Sequence, residues 1–193
     1  MSNKVIWITG ASTGIGKALA IKFSKNGWRV AISARRLELL EEISKKNENI
    51  FSFPLDVTNK DECGRVFSEI KNKFGQIDLC IFSTGTWDPK KEKEIDVEQI
   101  ENVMKVNFFG TVNSIKSVEK YFKELGKGHI SIVSSIAGYR GLPNSTGYGP
   151  SKSALNNLTE SLYFDFKRYG VRVSLISPGF IKTPMTDKND FKM

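Results

Sequence analysis

Residues 9–16 read "TGASTGIG" and follow directly on the apolar run "KVIWIT" at 4–9. Gly10, Gly14 and Gly16 allow a tight turn and close backbone approach where a strand hands over to a helix beginning near Gly14. Such a junction presents N–H groups at the positive end of the helix macrodipole, which suits a pyrophosphate. The spacing is G-x-x-x-G-x-G, not the commoner G-x-G-x-x-G. Its weight comes from context, a first strand before it and a helix after it. The expected dinucleotide-holding residues here are Gly10, Ser12, Thr13, Gly14, Ile15 and Gly16; a purely structural turn is the alternative.

Outward from this turn, the chain repeats one pattern. Short β-rich runs stand at 4–9, 29–33, 50–55, 77–82, 129–134 and 171–177. Longer stretches of helical periodicity, such as "GKALAIKFSKNG" and "LELLEEISKKNE", separate them. Strands alternating with helices predict an α/β fold, a doubly wound parallel sheet with helices on both faces, in one domain over 1–193. Ligands in such sheets bind beyond the carboxyl ends of the strands, so functional residues are expected just after them.

Composition narrows the function. The 193 residues carry a net charge of +8, but the lysines are scattered along helix faces, and neither nucleic acid nor membrane is an expected partner. Cys63 and Cys80 show no paired or metal-ligand spacing, which fits reduced thiols in a cytoplasmic protein. His129 is the single histidine, so histidine triads and multi-histidine metal sites have no material, and no metal is expected.

The second strand exits into "SARR". An acid there would accept hydrogen bonds from a ribose 2′-OH, whereas arginine pairs with a 2′-phosphate. Ala34 is followed by Arg35 and Arg36, which favours NADP(H) over NAD(H); two solvated arginines are the structural alternative.

Further on, "YGPSK" at 148–152 sets Tyr148 one helical turn before Lys152. Residues at i and i+4 share a helix face, and Pro150 is tolerated in a first turn, so an ordinary helix start also accounts for the stretch. Joined by "VMKVNFFG" with Asn107 on a long amphipathic helix, "IVSSIAG" with Ser134 and Ser135, and "SPGFIKTPM" after the sixth strand, these segments resemble the short-chain dehydrogenase/reductase family over essentially the whole chain.

The resemblance implies a Rossmann-like fold and an NADP(H)-dependent oxidoreductase acting on a small-molecule carbonyl or alcohol. It implies a catalytic tetrad of Asn107, Ser135, Tyr148 and Lys152, with Ser135 chosen because it lies 13 positions before Tyr148. Asp56 and Val57 correspond to the pair near the adenine, Gly85 to the last residue of the family's "NNAG" stretch at the cofactor pocket, and Pro178, Gly179, Ile181 and Thr183 to the segment that approaches the nicotinamide. Tyr148 would protonate the carbonyl oxygen and Ser135 would hydrogen-bond it. Lys152 would bind the ribose and lower the phenol's pKa. Asn107 would hold a water leading to solvent.

Two departures stand out. Where the family usually has "NNAG", this chain has "FSTG" at 82–85, leaving Ser83 and Thr84 to replace part of the lost amide bonding. The sequence stops at Met193, short of the family's last helix and strand. A non-catalytic dinucleotide-binding or regulatory protein is therefore the alternative. Trp87, Tyr139 and Leu142 follow strand ends and are candidates to line an apolar pocket. Leu155, Leu158, Leu162 and Phe166 share the inner face of a helix while Phe164 lies opposite, which with the resemblance predicts a homodimer through this helix and the one bearing Asn107.

Overall fold

A strand covered on both faces has no use for polar alternation, and β1 (Val5–Thr9) is buried at all five positions. It pairs in parallel with β2 (Arg29–Ser33) on one side and β4 (Leu79–Phe82) on the other. With β3 (Ile50–Ser52), β5 (Gly128–Val133) and β6 (Val171–Ile176) they form one parallel sheet in the order β3-β2-β1-β4-β5-β6. The computed structural model describes residues 4–87 and 95–188.

The helices are α1 (Gly14–Lys25), α2 (Leu37–Ser44), α3 (Lys60–Phe74), α4 (Val97–Met104), α5 (Gly110–Leu125) and α6 (Tyr148–Lys167). Two apolar clusters show which face each covers. Ala20 of α1 and Leu40 and Ile43 of α2 pack with Ile6, Ile8 and Ile32. Ile70 of α3, Phe122 of α5 and Leu155 and Phe166 of α6 pack with Trp7, Cys80 and Ile130 on the other side. Leu158 and Leu162 are partly buried against this second cluster, while Phe164 is 71% exposed.

β3 and β4 are shorter than the apolar runs that predicted them. The run 50–55 yields a strand only over Ile50–Ser52; β3 is the edge strand, and Pro54 sits where its missing N–H faces the open edge and not β2. Single bonds still continue the pairing, Phe53 N–H to Ile32 O and Leu55 N–H to Ala34 O. Ile77 and Asp78 stand outside β4: Ile77 N–H donates to the Tyr121 hydroxyl at 3.0 Å, and Asp78 accepts from Val5 N–H at 2.8 Å.

The expected single long helix around Asn107 is in fact interrupted. Between α4 and α5, Lys105–Phe109 form a π-helical turn. One wide turn of this kind changes the direction in which Asn107 leaves the helix, and such turns recur at functional sites.

Candidate active site

Strand order reverses between β1 and β4, so the turns leaving their carboxyl ends diverge and open a crevice. All six residues expected of the first turn, Gly10, Ser12, Thr13, Gly14, Ile15 and Gly16, line this crevice. Gly10 has φ +67°, and a Cβ there would stand 2.7 Å from the backbone of Thr84. Gly16 is pressed against the same turn, its Cβ position 2.8 Å from Ser83 Oγ. The turn is thus closed up on β4 by the absence of side chains.

Thr13 caps α1 in an extended conformation without a side-chain cap bond, and no acid occupies the first turn. The first-turn N–H groups therefore keep their capacity for an anion. Ser83 takes over part of the bracing expected of the missing asparagines, its hydroxyl donating to Thr9 O at 2.6 Å. Thr84 does not: its Oγ1 is buried in the crevice wall with no protein partner. An unpaired buried hydroxyl beside a glycine cradle fits a polar ligand in this crevice, and a dinucleotide has the required shape and charge.

Arg35, Arg36, Asp56, Val57 and Gly85 line the same crevice. Arg36 Nη2 donates to Ser12 Oγ at 3.3 Å, tying the exit of β2 to the glycine turn. Asp56 Oδ1 accepts from Thr58 N–H at 2.9 Å and its hydroxyl at 2.8 Å, which orients the carboxylate. Thr183 closes over Gly14, its methyl 3.4 Å from a Cβ placed there. Pro178, Gly179 and Ile181 do not line the crevice: Pro178 O accepts from Ile136 N–H at 3.1 Å, and Gly179 and Ile181 are exposed. Sequence reading passed over Leu55, Val106, Pro184 and Met185, which also line it and carry no polar signal.

Gly85 joins the crevice to the Tyr–Lys pair, since a Cβ there would lie 3.5 Å from Lys152 Nζ and 3.6 Å from Asn107 Oδ1. Tyr148 is the first residue of α6 and Lys152 follows one turn later, its Nζ 5.6 Å from the centre of the Tyr148 ring. The ammonium is buried and donates to Val133 O at 3.0 Å. Ser135 stands beside the Tyr148 hydroxyl, near enough to favour the phenolate, while its own Oγ accepts from Ala137 N–H at 3.2 Å. Ser134 faces the other way, toward the Lys152 carbonyl.

Electrostatics here differ from the expectation that Lys152 lowers the phenol's pKa. Burial raises Tyr148, and the neighbouring Ser135 hydroxyl is what opposes it. Burial also brings Lys152 down to about 8, because a desolvated ammonium is disfavoured as a desolvated phenolate is. The phenol is held in its protonated, donating form.

The Asn107 side chain is committed locally. Its Oδ1 accepts from Thr86 N–H at 2.7 Å, and Nδ2 donates to Thr86 O and to Ser151 Oγ, each at 3.0 Å. It braces the loop leaving β4 against α6. Ser151 was missed in the sequence because only the fold brings it to Asn107, 44 positions away.

Trp87 stands beside the site, its ring 6.4 Å from that of Tyr148. Tyr139 and Leu142 are exposed, and the Tyr139 hydroxyl lies 3.3 Å from Ser177 Oγ. His129 lies in β5 and shares a hydrogen bond with Ser174 at 2.8 Å, away from Tyr148 and Lys152 in the pattern of contacts. Among the described residues, no helix is long and apolar enough to cross a membrane.

The family model described as short chain dehydrogenase matches residues 4–192. An uncharacterized oxidoreductase of Staphylococcus epidermidis is 33% identical over 192 residues, which is 99% of this chain and 84% of that protein. The structure of ElxO with NADP bound aligns at TM-score 0.90 and 31% identity over 96% of this chain and 77% of that one. An actinorhodin polyketide ketoreductase variant with NADPH aligns at TM-score 0.90 and 27% identity, over 94% and 72% of the respective chains.

Proposed function

The chain belongs to the short-chain dehydrogenase family of oxidoreductases, and from that premise we propose that it reduces a small-molecule carbonyl, or oxidises the corresponding secondary alcohol, with NADP(H). The observation that carries this reading is the Ser135–Tyr148–Lys152 arrangement standing at the inner end of the glycine-lined crevice, joined to it at Gly85.

On this reading the first turn of α1 holds the pyrophosphate, with Arg35 and Arg36 at the 2′-phosphate and Asp56 and Val57 on the adenine side. Gly85 and Thr183, which line the crevice, serve the nicotinamide end. Bound there, the dinucleotide supplies a hydride to the carbonyl carbon. Tyr148 gives its proton to the carbonyl oxygen, completing the alcohol. Ser135 hydrogen-bonds that oxygen as negative charge develops on it. Lys152 holds the ribose, and Asn107 completes the tetrad by keeping the loop after β4 in place. That the phenol is raised by burial supports a proton donor in the reductive direction. NADP-bound and NADPH-bound neighbours, together with the arginine pair, support NADP(H) over NAD(H).

The same reading includes a homodimer through α5 and α6, whose outward Phe164 is 71% exposed beside Tyr163 at 43%. The test of function is carbonyl-dependent loss of reduced-nicotinamide absorbance with NADPH across a panel of aliphatic, aromatic and polyhydroxylated ketones. Turnover of at least one is expected; saturable NADPH binding with no turnover of any would favour a non-catalytic binding protein.

A further inference from the structure

Three consecutive residues at the end of β5 hold the Tyr148–Lys152 pair in three different ways. Val133 O accepts from Lys152 Nζ at 3.0 Å. Ser135 stands beside the Tyr148 hydroxyl and favours its phenolate. Ser134 Oγ, between them, lies 3.1 Å from the backbone carbonyl oxygen of Lys152 and 2.5 Å from the side-chain amide of Asn156, one turn further along α6. Ser134 is 3% exposed and Asn156 is 7% exposed, so neither has ready access to water as a substitute partner.

A hydroxyl has one proton, so Ser134 cannot donate both to Lys152 O and to an amide oxygen. With the amide oxygen facing Ser134, Asn156 Nδ2 is a buried donor without a partner. Turned over, the amide donates one N–H of Nδ2 to Ser134 Oγ, and Ser134 donates its single proton to Lys152 O, so neither Nδ2 nor the hydroxyl is left without an acceptor. The Lys152 carbonyl has a second lone pair beyond the one used by the helix, which is the one Ser134 takes. The turn after β5 is packed against the same groups: a Cβ on Gly138 would lie 2.9 Å from Lys152 O and 2.8 Å from Asn156 Nδ2.

We propose that Ser134 and Asn156 are positioning residues, a hydrogen-bond chain from Asn156 through Ser134 to the Lys152 carbonyl that fixes the second turn of α6 against the end of β5 and so sets where the Lys152 ammonium lies. The "SS" pair then divides the work. Ser135 meets the reacting phenol, and Ser134 holds the backbone that carries the ammonium. The consequence for catalysis rests on the reading of Tyr148 and Lys152 given above; the clamp itself does not.

The experiment follows the ε-carbon resonances of ¹³C-labelled lysines through a pH titration, with Lys152 assigned by its loss in Lys152→Met. In the wild type Lys152 is expected to titrate below the ordinary lysine range, at about 8, because it is buried. Ser134→Ala releases the turn, lets the ammonium gain water, and is expected to raise that midpoint by about half a pH unit or more. Ser134→Thr keeps the hydroxyl and is expected to restore the wild-type midpoint. Asn156→Ala moves it in the same direction as Ser134→Ala and decides the matter if Ser134→Ala does not fold. An unchanged midpoint in a folded Ser134→Ala or Asn156→Ala protein, or equal shifts in Ser134→Ala and Ser134→Thr, overturns the clamp. Reduction of the ketone panel above by NADPH, followed in the same proteins, reads the catalytic assignment separately: a shifted midpoint without turnover of any ketone by the wild type keeps the clamp and counts against the enzyme.

Discussion

The two ends of the crevice are made of different materials. At the β1 end the wall is backbone: glycines that let Gly10 lie on Thr84, and helix N–H groups that no side chain caps. At the β5 end the wall is side chain: Asn107, Ser134, Ser151, Lys152 and Asn156 are all buried and tied by hydrogen bonds between residues 18 to 44 positions apart. A site built from absent side chains is broken by adding atoms. One built from buried side chains is broken by removing them.

The largest effect should follow from adding a methyl at the backbone end. Gly10→Ala places a Cβ 2.7 Å from Thr84 backbone at a positive φ, and strain plus overpacking should cost roughly 3 kcal/mol of stability along with cofactor binding. Gly141→Ala, where a Cβ meets nothing within 4 Å, is the control and should be near neutral. Urea unfolding of both compares them directly, and equal stabilities would mean that the close approach at Gly10 does not constrain the turn.

Arg35→Ala should weaken NADPH binding by about tenfold, the worth of a charge-assisted hydrogen bond, while leaving NADH affinity unchanged. Equal losses for the two cofactors would place Arg35 away from the 2′-phosphate. A comparable effect on assembly is expected at the outward face of α6, where Phe164→Glu should weaken dimerisation on the order of tenfold or more; sedimentation at several concentrations reads it, and a monomeric wild type removes that interface.

The smallest effect sharpens the contrast. Thr84→Val deletes a buried hydroxyl without a protein partner, so the cofactor-free protein should gain about 1 kcal/mol. NADPH affinity should fall if the hydroxyl serves the cofactor. A stabilised protein with unchanged affinity would make Thr84 a structural leftover of the altered "FSTG" segment.

This division of materials also decides what the sequence discloses. Glycines at a strand-to-helix junction announce themselves, because few other residues can occupy φ +67° beside a neighbouring backbone. The strands were legible from runs that are apolar on both faces, while their ends were not, as where Ile77 N–H turns to the Tyr121 hydroxyl and the run 50–55 narrows to Ile50–Ser52. Helical spacing put Tyr148 and Lys152 on one face, which an ordinary helix start also explains, and their roles came from the family resemblance. Ser135 was separated from Ser134 only through the family resemblance. The bond from Asn107 to Ser151, the π-helical turn and the Ser134–Asn156 contact were not legible, since no local periodicity marks partners that meet only when α5, α6 and β5 pack.

The central claim is that binding resides at the backbone end and proton transfer at Tyr148. Tyr148→Phe removes one hydroxyl and leaves the glycine turn untouched. NADPH binding measured by titration should stay close to wild type, while NADPH-dependent reduction of a carbonyl that the wild type turns over should fall by about a hundredfold or more. Wild-type turnover in Tyr148→Phe would contradict this account.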